Sequence, residues 1–62
     1  MIEKPDWLNK GARATAFGKP CTIKKCPTNE IKGKVYVYQC DIMYDDKNFT
    51  VPVHPSDLKP IN

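Results

Sequence analysis

Three cysteines and one histidine are the residues of this chain with the most specific chemistry. Cys21, Cys26, Cys40 and His54 are of the types that hold a structural zinc ion. The spacing argues against such a site, because four residues separate the first two thiols, the upper limit for a zinc knuckle. Cys21 and Cys26 would also point to opposite faces of one strand unless a bulge intervenes. We therefore predict no metal and no cofactor, and an odd set of free thiols.

Nucleophilic or acid–base catalysis has little support in the sequence. A cysteine nucleophile needs a base beside it, and His54 is the only histidine, without an evident third group to orient it. Asp45 and Asp46 are adjacent in a polar segment that fits a hairpin connection better than a shared proton. The three glycines are scattered singly, so they do not form a phosphate-binding loop. The sequence predicts a protein that is not an enzyme.

The distribution of charge indicates an anionic partner. Residues 10–34 carry seven basic side chains against one acid, a net charge of +6, whereas residues 1–9 carry −1 and residues 35–62 carry −2. Such asymmetry favours nucleic acid as the partner. Contacts to phosphates, with little reading of base sequence, are the expected mode. The predicted contact residues are Arg13, Lys19, Lys24, Lys25, Lys32 and Lys34.

A protein partner is the alternative hypothesis. Edge strands would supply main-chain hydrogen bonds, and Val35, Val37 and Met43, on the outward face of a strand, would supply the apolar part. A chain of 62 residues that starts at its own methionine resembles the small accessory proteins of bacteria and phages, many of which dock on a larger protein. The basic face could also serve only to keep the protein soluble. DNA, RNA and protein partners, and the oligomeric state, stay open.

One long strand, Lys34 to Asp45, is the element expected to organise the fold. It contains no Gly or Pro and is rich in β-branched and aromatic residues. Because it exceeds the usual five or six residues, it must twist or bend and pair with different neighbours, as in a small barrel. Alternation predicts a core face made of Tyr36, Tyr38, Cys40, Ile42 and Tyr44.

The segments before this strand predict two further strands and a loop. In residues 12–17 alanines alternate with larger residues, which suits the inner wall of a tight barrel. Residues 18–20 read as a turn, and residues 21–26 as a strand with Cys21 and Ile23 on one face. Residues 28–33 are expected to be an exposed loop anchored by Ile31. Trp7 is expected to plug one end of the barrel.

The segments after the long strand predict a hairpin and a short helical turn. Residues 45–48 form a polar connection, and Phe49, Val51 and Val53 alternate as a strand that Pro52 restricts to an edge. Residues 54–58 read as a single helical turn, with Leu58 pointing back to the core. The last residues, 59–62, can add a final strand.

Length and composition limit the chain to one small domain, residues 1–62. A chain of 62 residues buries only about 60% of its unfolded surface, so its core is small. It contains no apolar run near the roughly 20 residues that span a bilayer, and its first ten residues lack the apolar core of a signal peptide. We therefore expect a cytosolic protein, in which the sequon at Asn48 is a chance match.

The segments together give five short strands with one helical turn before the last. The residues that carry this pattern are Trp7-Leu8, Gly11, Gly18-Lys19-Pro20, the tyrosine-rich strand into Asp45-Asp46, Val51-Pro52 and Asp57-Leu58-Lys59-Pro60-Ile61. The pattern covers nearly the whole chain and resembles the SH3-like β-barrels, a superfamily that includes Tudor, chromo-like and KOW-type modules. The resemblance implies a five-stranded all-β barrel with a short 3-10 turn before the last strand, and some KOW-like and chromo-like members contact nucleic acid.

Overall fold

The computed structural model describes residues 1–61, which form an all-β structure with one 3-10 turn at Pro55–Asp57 and no α-helix within those residues. One antiparallel sheet of five strands, in the order β7-β6-β3-β2-β8, curls into a half-barrel, and a second sheet has the order β1-β5-β4. The strands are β1 (Ile2–Glu3), β2 (Arg13–Ala16), β3 (Lys19–Lys25), β4 (Thr28–Ile31), β5 (Lys34–Val37), β6 (Cys40–Tyr44), β7 (Val51–Val53) and β8 (Leu58–Pro60).

The core lies on the concave face of the five-stranded sheet. Ala14 and Ala16 are fully buried on β2, and their small side chains let the neighbouring strands curl closely over the core, as the alternation of residues 12–17 predicts. Trp7 packs partly buried against the core beside the fully buried Leu8. The residues of the hydrophobic core are Leu8, Ala14, Ala16, Cys21, Ile23, Val37, Cys40, Ile42, Val53 and Leu58.

The prediction of one long strand from Lys34 to Asp45 is wrong. The chain bends at residues 38–39, which lie outside both strands, because β5 pairs with β1 and β4 while β6 pairs with β3 and β7. The bend changes the alternation, so that Val37 is fully buried instead of facing outward and Tyr38 is 51% exposed instead of facing the core. Alternation holds only after the bend, where Cys40 and Ile42 are both buried.

Residues 28–33 form a strand and a tight turn instead of the expected loop. β4 pairs antiparallel with β5, and Lys32 and Gly33 form the two-residue turn with φ angles of 51° and 80°. Turns with positive φ at both central residues match the right-handed twist of paired strands. Ile31, the expected anchor, is 40% exposed. The turn expected at residues 18–20 lies one residue earlier, at Phe17 and Gly18.

The carboxyl-terminal segments follow the prediction more closely. Pro52 lies in β7, an outer strand of the five-stranded sheet. The 3-10 turn begins after His54, whose side chain accepts a hydrogen bond from the Ser56 N–H, and it ends at the buried Leu58. Phe49 differs from the prediction, because it precedes β7 and is exposed. The final strand is β8, and Asn62 lies outside the described residues.

Within residues 1–61, the helical content is limited to that short turn, which is far too short to cross a membrane.

Candidate nucleic-acid interface

A β-hairpin extends from the half-barrel as an arm. We call residues 24–37 the lysine arm; they comprise the end of β3, the hairpin of β4 and β5, and the links between them. Every residue from Thr28 to Val35 is exposed, so neither face of the outer part of the hairpin is covered. The principal extents of the molecule, 39 × 23 × 17 Å, are those of an elongated body.

The base of the lysine arm is held by the amino-terminal residues. β1 pairs with β5 through Ile2 opposite Val37 and Glu3 opposite Tyr36, and the Lys4 N–H donates to the Val35 carbonyl at 2.8 Å. This support reaches β5 from Val37 to Val35. Beyond it, Lys34 and the turn are stabilised by pairing with β4.

Four of the six predicted contact residues belong to the lysine arm, and all four are exposed. Lys24 lies at a bulge in β3, and Lys25 pairs with Asp41 on β6. Lys32 is in the two-residue turn, and Lys34 begins β5. Among residues 1–61, these four ammonium groups make no ion pair with a carboxylate. Their positive charge is therefore available to a ligand.

The other two predicted contact residues, Arg13 and Lys19, lie on the half-barrel beside acidic side chains. The Arg13 guanidinium donates two hydrogen bonds of 2.6 Å to the two carboxylate oxygens of Asp45, and a third, of 2.8 Å, to the Thr22 hydroxyl. The hydrogen bond from Arg13 lowers the pKa of the Asp45 carboxyl below its ordinary value. Lys19 borders a shallow depression with Asp45 and Asp46. Asp45 thus offsets the charge of Arg13, whereas Lys19 makes no ion pair within residues 1–61 and has acidic neighbours as Lys34 has, which borders a depression with Glu3 and Asp6.

The cysteines come together in a pair and not as a metal cluster. The bulge adds one residue to β3 between Ile23 and Lys25, so Cys26 faces inward, opposite Cys40. The two Sγ atoms are 2.8 Å apart. Burial, followed by the hydrogen bond with Cys26, raises the pKa of the Cys40 thiol to about 12. Cys21 is free and buried, and within residues 1–61 no three His, Cys, Asp or Glu side chains are grouped to hold a metal.

The side chains that could suggest catalysis have structural partners. The Nδ1 atom of His54 lies 2.6 Å from the Ser56 hydroxyl and accepts the Ser56 N–H, so this ring caps the 3-10 turn. Asp45 is held by Arg13. These contacts give each group a role in the fold.

Sequence reasoning missed both the arm and the thiol pair. The dipeptide Lys32-Gly33 could have indicated a two-residue hairpin turn, because it is followed by the β-forming residues 34–37 and preceded by residues 28–31, which end in Ile31. The bulge has no comparable signal, because nothing in the Lys24-Lys25 dipeptide distinguishes it from regular strand. The apolar surface predicted for a protein partner is also reduced, since Val37 belongs to the core.

No protein-family model matches the chain, and no curated protein or solved structure matches it either.

Proposed function

We propose that the chain is a non-enzymatic binding module that contacts nucleic-acid phosphates through the lysine arm. The observation that carries the proposal is the lysine arm, whose outer part is a two-stranded ribbon exposed on both faces. Lys32 and Lys34 lie at the end of the ribbon and Lys24 and Lys25 at its base on β3, and no carboxylate pairs with any of the four within residues 1–61. Arg13 is secondary in this proposal because Asp45 compensates its charge, and Lys19 is secondary because it lies on the half-barrel, outside the arm. The contact surface is therefore narrower than the charge of residues 10–34 indicates.

The shape of the arm favours duplex DNA among nucleic acids. The major groove of B-DNA admits a two-stranded β-ribbon, whereas the deep, narrow major groove of A-form RNA does not. Lys25 and Lys32 are seven positions apart, which is at most about 23 Å in an extended strand, and this length spans about seven phosphates of one DNA strand. Lysines at both ends of the arm can therefore reach separate phosphates of one duplex.

Binding of labelled duplex DNA at a series of salt concentrations tests the proposal. Four phosphate contacts predict a slope of about −3.6 in log K against log salt, because each contact contributes about −0.9. Lys32→Gln with Lys34→Gln removes two contacts and should bring the slope to about −1.8. Lys47→Gln with Lys59→Gln is the matched control, since it removes the same charge from exposed positions outside the arm.

Two results would contradict this assignment. Equal losses in the arm variant and the control would show that net charge, and not the arm, determines binding. Failure of the wild-type protein to bind any labelled nucleic acid at low salt would exclude phosphate contacts, which are strongest there.

A protein partner is the second candidate, favoured by one observation. β4 pairs on one side only, and Ile31 and Val35 near the end of the arm are 40% and 36% exposed. An extended peptide could add to such an edge by main-chain hydrogen bonds. This candidate predicts capture of a defined partner that a proline at Glu30 abolishes. The N–H of Glu30, which lies opposite Val35, points away from β5 to the open edge, so the proline removes a donor for the partner and leaves the hydrogen bonds within the hairpin.

We also propose that the five-stranded sheet is an SH3-like barrel. The proposal is supported by the strand order, in which β8 follows a 3-10 turn and returns to pair with β2, the first strand of that sheet. The hairpin of the lysine arm is then an insertion between the second and third of the five strands. An experimental structure with another strand order would refute this classification.

A further inference from the structure

The thiols of Cys26 and Cys40 lie within hydrogen-bonding distance of each other. Their Sγ–Sγ distance of 2.8 Å is about 0.8 Å longer than a disulfide bond of about 2.0 Å. The two residues are free in this structure, and they are 14 positions apart in sequence. The juxtaposition is a product of the tertiary fold and not of a Cys-X-X-Cys motif.

The register of β3 and β6 predicts a backbone position that suits a disulfide. Lys25, the last residue of β3, is opposite Asp41, and continuing this antiparallel register by one residue places Cys26 opposite Cys40. Opposed residues of antiparallel strands have Cα atoms about 4.5 to 5.5 Å apart, within the range of about 4.4 to 6.8 Å found across disulfides. Bond formation therefore needs only a small side-chain adjustment.

The two thiols also differ in access, which sets the order of reaction. Cys26 is half-buried and Cys40 is fully buried. A soluble oxidant thus reaches Cys26 first, and Cys40 can act only as the resolving thiol behind it. Cys21 is fully buried on the neighbouring part of β3 and lies outside the pair.

We propose that Cys26 and Cys40 form a reversible disulfide that closes the base of the lysine arm, with glutathione disulfide as the oxidant. The Cys26 thiolate attacks one sulfur of glutathione disulfide, forms a mixed disulfide and expels one glutathione thiolate. Cys40 gives its proton to solvent and attacks the Cys26 sulfur, which expels the second glutathione thiolate. The protein loses two electrons and two protons, and the oxidant is reduced to two glutathione molecules.

At this position the bond would link the lysine arm to the core as well as stabilise the core. The residues between the two cysteines include β4, β5 and their turn, so the bond would enclose the hairpin at its base. In the reduced protein this base is held by strand pairing and by packing of Cys26 against the core. The inference does not depend on nucleic-acid binding, because it rests on the positions of the two sulfur atoms.

Thiol counting on the full chain tests the proposal. The reduced protein is equilibrated with glutathione buffers of increasing oxidised fraction, quenched in acid, alkylated under denaturing conditions and weighed by mass spectrometry. We expect three alkylated cysteines in reducing buffer and one in oxidising buffer, with Cys21 as the alkylated residue. Peptide mapping should recover Cys26 linked to Cys40 within one chain.

Two variants sharpen the result. Cys21→Ala should keep the disulfide and leave no alkylated cysteine after oxidation, whereas Cys26→Ser should form no intramolecular bond. The mapping of the wild-type protein decides the question even if a variant fails to fold. A stable glutathione adduct on Cys26 with Cys40 still alkylated, a bond that includes Cys21, or a linked dimer in place of the internal bond would each overturn the proposal.

Discussion

Oxidation of the thiol pair should stabilise the folded chain by an amount that the loop length sets. Joining Cys26 to Cys40 closes a loop of about 15 residues, and the chain-entropy model gives about 3 kcal/mol for a loop of that size. The sulfur atoms are 2.8 Å apart in the reduced fold, so they need to approach by only about 0.8 Å to reach the disulfide bond length. With a urea m-value of about 1 kcal/mol/M, the unfolding midpoint should rise by about 3 M.

Trp7 fluorescence is the direct readout, because this residue packs partly buried against the core. Urea unfolding is followed with reductant present and after oxidation by glutathione disulfide. Cys21→Ala should show the same rise on oxidation, since it retains the pair, and Cys26→Ser should show none. The internal bond in the oxidised wild-type protein is verified by mass. If the urea midpoint of that protein is unchanged or lower, the reasoning that the native fold accommodates the disulfide without strain is refuted.

Three further predictions concern the core, the exposed ion pair and the reactivity of the buried thiol. Ile42→Ala, at a fully buried position, should cost about 3 kcal/mol in urea unfolding, whereas Ile31→Ala on the exposed arm should change stability by less than about 0.5 kcal/mol. The Asp45 carboxyl should titrate by NMR below its ordinary pKa of 3.8, and Arg13→Gln should restore that value. Because the native pKa is depressed, the stabilisation from this pair is present above pH 3.8 and is lost as the pH falls through the lower native pKa. Burial, the largest cause of the raised pKa of Cys40, persists when Cys26 is bound to glutathione. The Cys40 thiol is then mostly protonated near neutrality, and the rate of intramolecular closure from the mixed disulfide in quenched-flow samples should rise about tenfold per pH unit there.

The parts of the fold that were predictable are those that local alternation determines. The alanines of β2 and the pair Cys21 and Ile23 face the core because strand residues two apart always share a face. Pro52 lies in an outer strand because it has no N–H to donate. The 3-10 turn after His54 follows from the proline that starts it. Each of these features depends on a few neighbouring residues.

The features that escaped prediction depend on which strands pair. Nothing in Tyr38-Gln39 marks a bend, and the chain turns there because the segments on either side join different sheets. The partner of Arg13 is 32 positions away in sequence, so the loss of this cation from the basic surface could not be read locally. The charge of residues 10–34 predicted the kind of partner, but only the fold separates the lysines of the arm from Arg13 and Lys19.

Because of the bulge, deletion of Lys24 would not shift the register of the strand. Deleting a residue inside a regular strand moves every later side chain to the opposite face. Deleting Lys24 would instead leave Ile23 opposite Ile42 and Lys25 opposite Asp41, because the bulged residue has no partner on β6. The inward position of Cys26 would survive, while the strand would lose the local bend that a bulge imposes. A one-codon deletion here would therefore preserve the core and alter chiefly the direction in which the lysine arm leaves the half-barrel.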